Sequence, residues 1–326
     1  MHNIRTTSWL VSRANSAAVT ATMPRGRTRD RNQRGRRRSP LYVRGVGVAM
    51  PADLVTDACT DLGVHRVRPL VAGGQKQVHV VADAAGTESV LKLIDLGAAS
   101  DPAALERARR EVELLRSVDH PNVVKVRTEL RELGTPPVAA FWLEEFLDGG
   151  DLRHCCGTGW SADQLIALGS DVAAGLGALH AKKVIHRDLS PGNVQRTLSG
   201  RFVVMDPGFA KHTLKSGLTI GGQPGTPGFM TPEHLQAYSG APTAASDVFG
   251  CAALVYLAAT GQPPVPYKGD DTEYMRRLRT AQHIPLAQVR TDLPAPLVEV
   301  VERGLHAQPA RRYRNGAALA AVFGAL

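Results

Sequence analysis

From about Val64 the hydrophobic pattern is short and strand-like. RVRPLV, QVHVV, ESVLKLI, VVKVRTEL and VAAFWLEE are runs rich in β-branched residues, separated by Gly or Pro turns at Ala85-Gly86-Thr87 and Gly134-Thr135-Pro136. They predict an antiparallel sheet. One helix is expected between them, from Asp101 to Val118: Asp101 can cap it, Pro102 suits its first turn, and Leu105, Ala108, Val112 and Leu115 recur at helical spacing. After Gly149-Gly150 the pattern turns helical. Ser161-Ala162-Asp163-Gln164 reads as a capping box, and Leu165, Leu168, Val172, Leu176 and Leu179 form the apolar stripe of a long helix. A small sheet with one helix, followed by a larger helical part, is an α+β layout of two lobes whose cleft is the natural ligand site.

Before Val64 this patterning lapses. Pro24 to Pro40 reads PRGRTRDRNQRGRRRSP, with no periodicity and strong self-repulsion, and residues 1–60 are read as a disordered Arg-rich extension. The charge of the chain resides there. The 326 residues carry a formal net charge of +9, yet residues 1–49 hold eleven Arg and one acid, Asp30, which leaves 28 basic against 29 acidic residues in the rest. The tail reads either as an arm for nucleic acid or anionic lipid, or as a solvated extension ahead of the better-patterned part that Met50 opens. No aromatic residue interleaves the arginines of Pro24 to Pro40 as a stacking platform would require. The near-neutral remainder gives no electrostatic reason to expect nucleic acid as a partner.

Cys59, Cys155, Cys156 and Cys251 form no CxxC pair and no metal-ligand spacing with His, which fits reduced thiols in a cytoplasmic protein. The uncharged run from Val248 is broken at Gly261, leaving an apolar stretch of about thirteen residues, too short to span a bilayer. No membrane span and no signal-peptide core is expected.

The most specific stretch is His186-Arg187-Asp188-Leu189-Ser190-Pro191-Gly192-Asn193, followed by a Ser199-Gly200 turn, the strand Phe202 to Met205, and Asp206-Pro207-Gly208. Here the chain resembles a eukaryotic-like (Hanks-type) serine/threonine protein kinase, and the resemblance covers residues 64–326, with a small lobe at about 64–146 and a large lobe at about 147–326. It implies the bilobal protein-kinase fold. It also implies Asp188 as catalytic base and Asn193 and Asp206 as ligands of Mg2+ (or Mn2+), because phosphoryl transfer needs a group that orients the attacking hydroxyl and cations that neutralise phosphate charge.

The family's other motifs follow in order. Lys92, in Val90-Leu91-Lys92, resembles the lysine that neutralises the α- and β-phosphates of ATP. Glu111, on the predicted helix, resembles its glutamate partner, with Glu113 as a nearby competitor. His120-Pro121-Asn122-Val123-Val124 matches the turn after that helix, and Glu144-Glu145-Phe146-Leu147 resembles the hinge whose backbone reads adenine. The nucleotide-binding set implied is Leu70, Gly73, Gly74, Val78, Val90, Lys92, Glu145 and Leu147. Gly225 to Glu233 resembles the end of an activation segment, with Thr213, Ser216 and Thr219 as candidate phosphorylation sites before it. Arg187 resembles the residue that receives such a phosphate. Thr226 resembles the threonine that contacts the catalytic Asp and favours Ser/Thr substrates. Glu233 would pair with Arg312 or with Arg311, and Asp247 resembles the residue that hydrogen-bonds the catalytic-loop backbone.

The pattern departs from the family at several places. The phosphate loop reads Leu70-Val71-Ala72-Gly73-Gly74-Gln75-Lys76-Gln77-Val78, in which Gly73 alone keeps its register and Lys76 adds a charge. Ser190 replaces the catalytic-loop lysine, and Pro207 replaces a packing Phe. Gln195 replaces the apolar residue beneath adenine, where a buried amide without partners costs about 1–3 kcal/mol. Lys92, Glu111, Asp188, Asn193 and Asp206 are all retained. That set favours an active ATP- and Mg2+-dependent protein kinase, acting on Ser/Thr hydroxyls and on itself through self-association, over a nucleotide-binding pseudokinase scaffold. The Thr226 to Glu233 segment disfavours a small-molecule phosphotransferase. The 31 Arg against 8 Lys point to a GC-rich, bacterial coding sequence. Ala317 to Leu326 reads as the last helix of the large lobe, with no sensor domain or anchor expected after it.

Overall fold

The computed structural model describes residues 53–71, 76–97, 102–155, 159–207, 219–220, 223–224, 226–235 and 242–326. The Arg-rich segment, Gly73, Gly74, the Asp101 cap, Thr213 and Ser216 lie outside the described residues, as does the side chain of Thr219.

The small lobe opens with a helix that the sequence reading had placed inside the disordered extension. Residues 53–60 are not extended chain: α1 runs Leu54–Leu62. Asp53 caps it, its carboxylate accepting from the amides of Val55 (3.2 Å) and Thr56 (3.4 Å), and Gly63 ends it in a left-handed conformation, φ +67°. Val55, Ala58 and Cys59 are buried in one cluster with Val81, Leu91, Leu93, Phe141 and Leu143 of the sheet. That burial, rather than helix propensity, holds so short a helix.

The sheet comprises β1 (His65–Val71), β2 (Lys76–Ala82) and β3 (Glu88–Asp95). Helix α2 (Pro102–Arg116) follows, then β4 (Arg131–Leu133) and β5 (Ala139–Glu145). All pairings are antiparallel in the order β1-β2-β3-β5-β4. One face of β5 turns Phe141 and Leu143 towards α1, while the other packs Ala140 and Trp142 with Ile94, Ala108 and Val112, seating α2. In the β3–β5 register Lys92 lies opposite Trp142 and Val90 opposite Glu144.

VVKVRTEL, expected as a strand, is not one. Val123 and Val124 are both buried in the large-lobe core, which denies the segment the alternation of a half-buried strand. Val123 and Val126 make only isolated bridges, to Val204 and Glu144, and the Thr128 hydroxyl accepts the Leu143 amide where a strand would offer a carbonyl (2.9 Å). The strand of this region starts later, at Arg131.

The large lobe begins with α3 (Leu152–Cys155) and α4 (Ala162–Ala181), whose Ser161 and Gln164 form the expected reciprocal capping box. A 3-10 turn (Pro191–Asn193) leads into the hairpin β6 (Val194–Arg196) and β7 (Phe202–Val204). The two-residue strands β8 (Thr219–Ile220) and β9 (Gln223–Pro224) pair with each other. Then come α5 (Ala244–Thr260), α6 (Asp271–Arg279), α7 (Leu286–Val289), α8 (Ala295–Gly304) and α9 (Gly316–Phe323). Helix α5 is buried along most of its length and forms one core with α4, α8 and α9. Its Gly250 is required by close approach, since a Cβ there would stand 3.0 Å from the Leu189 Cβ of the 186–193 loop.

Candidate active site

The loop 186–193 is held from behind by α5. Asp247, 2% exposed, accepts the amides of His186 (2.7 Å) and Arg187 (2.9 Å). His180 of α4 completes this support: its Nδ1 accepts the Gly316 amide (3.0 Å), so its Nε2 carries the proton donated to Asp247 (2.8 Å). His186 is fixed likewise, its Nε2 donating to the Met205 carbonyl (2.8 Å), which ties the loop to the residue preceding Asp206. Arg187 (φ +65°) and Asp206 (φ +49°) both hold left-handed backbone, and Asp206 does so directly before Pro207, where conformational freedom is already restricted. Such conformations persist where surrounding bonds over-determine them, and they concentrate at functional sites.

These supports bring Asp188, Asn193 and Thr226 together, and the Met205 amide, donating to the Asn193 carbonyl (2.9 Å), ties the residue before Asp206 to the same loop. The Asn193 amide donates to both the Asp188 carbonyl (2.7 Å) and its Oδ2 (2.8 Å), and the Thr226 hydroxyl donates to Asp188 Oδ1 (3.3 Å). With both amide hydrogens of Asn193 committed, its Oδ1 is the atom left to face a cation. Together with the Asp206 carboxylate it offers the oxygen ligands that a hard divalent ion prefers. Among the described residues no cluster of three or more His, Cys, Asp or Glu side chains is arranged as a metal site.

Across the cleft, Lys92 is 3% exposed and makes ion pairs with Glu144 (2.6 Å to Oε2) and with Asp206. Lys76 lies 3.7 Å from Asp206. Burial pushes the Lys92 ammonium down, but Asp206, Glu144 and Glu111 together outweigh it and hold the group above its usual range. For Asp206, burial is likewise outweighed, by Lys76 and Lys92 with the Lys92 hydrogen bond, and its carboxyl stays below the usual carboxylate range.

Glu111 differs from the expectation. It is brought to the cluster and is 3% exposed, but among the described residues no ion pair joins it to Lys92. Burial raises its carboxyl to about 7, with Asp206 and Glu144 adding to the rise against Lys76 and Lys92. The carboxylate on Lys92 is instead Glu144, which sequence reading had assigned to the hinge for its backbone alone. The competitor Glu113 is exposed.

The cleft contains a cavity of about 410 Å³. Its apolar walls are Leu70, Val78, Val90, Val124, Leu147 and Met205, while Lys92, Glu144, Glu145 and Asp206 also line it. Gln195 lines it too but is only half-buried, so the desolvation cost expected for a buried amide does not apply in full. Ser190 and Pro207 are both buried. Below the cleft, Glu233 meets Arg312 rather than Arg311 in a two-pronged ion pair (2.8 and 2.9 Å), and Arg312 also donates to the carbonyls of Ala245, His306 and Ala307.

A protein-family model described as the protein kinase domain matches residues 66–323. The chain belongs to the protein kinase family. As a kinase domain it is 28% identical over 270 residues to the serine/threonine-protein kinase PknA of Mycobacterium tuberculosis, a match covering 81% of this chain and 61% of the relative. It is 29% identical over 257 residues to PknB of the same organism, covering 76% of this chain and 40% of the relative. The kinase domain thus spans about three fifths or less of these relatives. A crystal structure of the Mycobacterium tuberculosis PknI kinase domain matches with a TM-score of 0.58 and 24% identity, over 81% of this chain and 95% of that one, which shows the shared bilobal fold. No helix among the described residues is long and apolar enough to cross a membrane.

Proposed function

We propose that this kinase domain transfers the γ-phosphoryl group of ATP to serine and threonine hydroxyls of proteins, itself included. The observation that carries the reading is Asp188 held by the Asn193 amide and the Thr226 hydroxyl, with Asp206 paired to Lys92 at the cleft. The names of the PknA and PknB relatives support the same class of acceptor.

The apolar walls of the cavity receive the base, and the backbone of the Glu145 to Leu147 segment lies along its edge. Lys92 and Lys76 supply positive charge to the phosphate chain. Asn193 Oδ1 and the Asp206 carboxylate would hold a divalent ion. When bound, that ion neutralises charge on the phosphate oxygens. Asp188 orients the attacking hydroxyl and takes its proton as the hydroxyl oxygen bonds to phosphorus. The bond from phosphorus to the β–γ bridging oxygen breaks, and its electron pair leaves with ADP. Asn193 and Thr226 fix the Asp188 carboxylate for this task, so positioning rather than covalent chemistry is the chain's main contribution.

Incubation with [γ-32P]ATP, MgCl2 and a generic protein acceptor tests the reading. Label is expected with the wild type and a loss of about a hundredfold or more with Asp188→Asn. Equal labelling by both chains contradicts it.

A further inference from the structure

We propose that Glu144 of β5, rather than Glu111 of α2, is the positioning residue that fixes Lys92 for the nucleotide. The inference deepens the reading above and rests on it. Lys92 and Glu144 lie diagonally across the β3–β5 ladder on one face, because Lys92 opposes Trp142 and Val90 opposes Glu144. The Glu144 carboxylate contacts the lysine ammonium through both oxygens, Oε1 at 2.7 Å and Oε2 at 2.6 Å.

Glu144 is itself held. Its Oε1 also accepts the indole Nε1–H of Trp142 at 2.9 Å, and Trp142 is fully buried in the layer between the sheet and α2. Three side chains on adjacent strands therefore form one hydrogen-bonded unit whose geometry is set by the sheet. At 2% exposure Glu144 has little water to compete for the ammonium.

Glu111 offers a weaker hold. It sits on α2, a separate element, and makes no ion pair with Lys92 among the described residues. A lysine anchored through Glu144 takes its counter-charge from its own sheet rather than from a carboxylate carried by α2.

Two measurements compare Glu144→Gln with Glu111→Gln. The first uses the nucleotide-free chain: in an 15N spectrum of the lysine ammonium groups, with Lys92→Met to identify the signal, Lys92 should show a slowly exchanging NH3+ resonance. Glu144→Gln should speed its hydrogen exchange by about tenfold or more, and Glu111→Gln by less than about threefold. The second is kcat/KM for MgATP, expected to fall about tenfold or more in Glu144→Gln and less than about threefold in Glu111→Gln. Glu144→Asp keeps the charge and should restore most of the ammonium signal. If Glu144→Gln does not fold, Trp142→Phe, which removes the indole donor along with part of the buried ring, should still speed Lys92 exchange measurably. Exchange unchanged by Glu144→Gln or Trp142→Phe, or changed more by Glu111→Gln, overturns the proposal. If the wild type transfers no phosphate, the kinase reading fails, and the ammonium measurement alone decides the role of Glu144.

Discussion

Replacing Glu111 by Gln should change how the fold's stability varies with pH. Glu111 is 3% exposed, and its carboxyl is raised from 4.5 to about 7, first by burial and then by the neighbouring Asp206 and Glu144. Between those two values the folded chain keeps a proton that the unfolded chain has released. Stability falls with rising pH wherever the native state binds more protons, so this group's contribution is whole below pH 4.5 and is lost as pH climbs through about 7. At 1.36 kcal/mol per unit, the loss is roughly 3 kcal/mol. Gln has nearly the same shape and no proton to lose. Urea unfolding of both chains at intervals from pH 5 to pH 8 reads the effect, because titrating groups distant from Glu111 cancel in the difference. The stability of Glu111→Gln relative to wild type should rise by on the order of 2–3 kcal/mol across that range. Two curves that run parallel within about 0.5 kcal/mol would refute the picture of a desolvated carboxyl kept protonated by its acidic neighbours.

Other perturbations test other parts of the frame. Arg312→Met strands Glu233, which is 12% exposed, without its cation, and should cost about 3–5 kcal/mol in urea unfolding; adding Glu233→Gln should recover part of that loss. Asp247→Asn puts an amide donor against the His186 and Arg187 amides, and should lower kcat by about tenfold or more while the chain remains folded by circular dichroism. Val55→Asp places a charge beneath α1 and should cost about 2–4 kcal/mol, with faster amide exchange in β3 and β5, if that helix is part of the small-lobe core.

The large-lobe site was legible because its chemistry is local in sequence. Asp188, Asn193 and Asp206 stand at fixed spacing around one turn and one hairpin, and the spacing survives without knowledge of the rest of the fold. The partners of Asp247 and Arg312 followed from the same motif resemblance. Helix α1 was missed although its signals were present: an Asp53 cap, Val55, Ala58, Cys59 and Leu62 at helical spacing, and Gly63 after the end. The charge imbalance of the preceding segment had been extended too far along the chain. VVKVRTEL misled because β-branched residues serve equally well in an extended segment that buries consecutive side chains in the large-lobe core. The Lys92–Glu144 pair was not legible at all. It depends on the register of two strands, which pairs residues fifty-two positions apart, and on how deeply that face is buried.

Phosphoryl transfer to serine and threonine hydroxyls is tested most directly by the identity of the product. The chain is incubated with [γ-32P]ATP, MgCl2 and a mixed-sequence protein acceptor, alongside Asp188→Asn, and the labelled protein is hydrolysed for phosphoamino-acid analysis. Phosphoserine and phosphothreonine are expected, formed with one ADP per phosphate and reduced about a hundredfold or more with the variant. Nucleotide binding without labelled residues, or label on tyrosine alone, would contradict it.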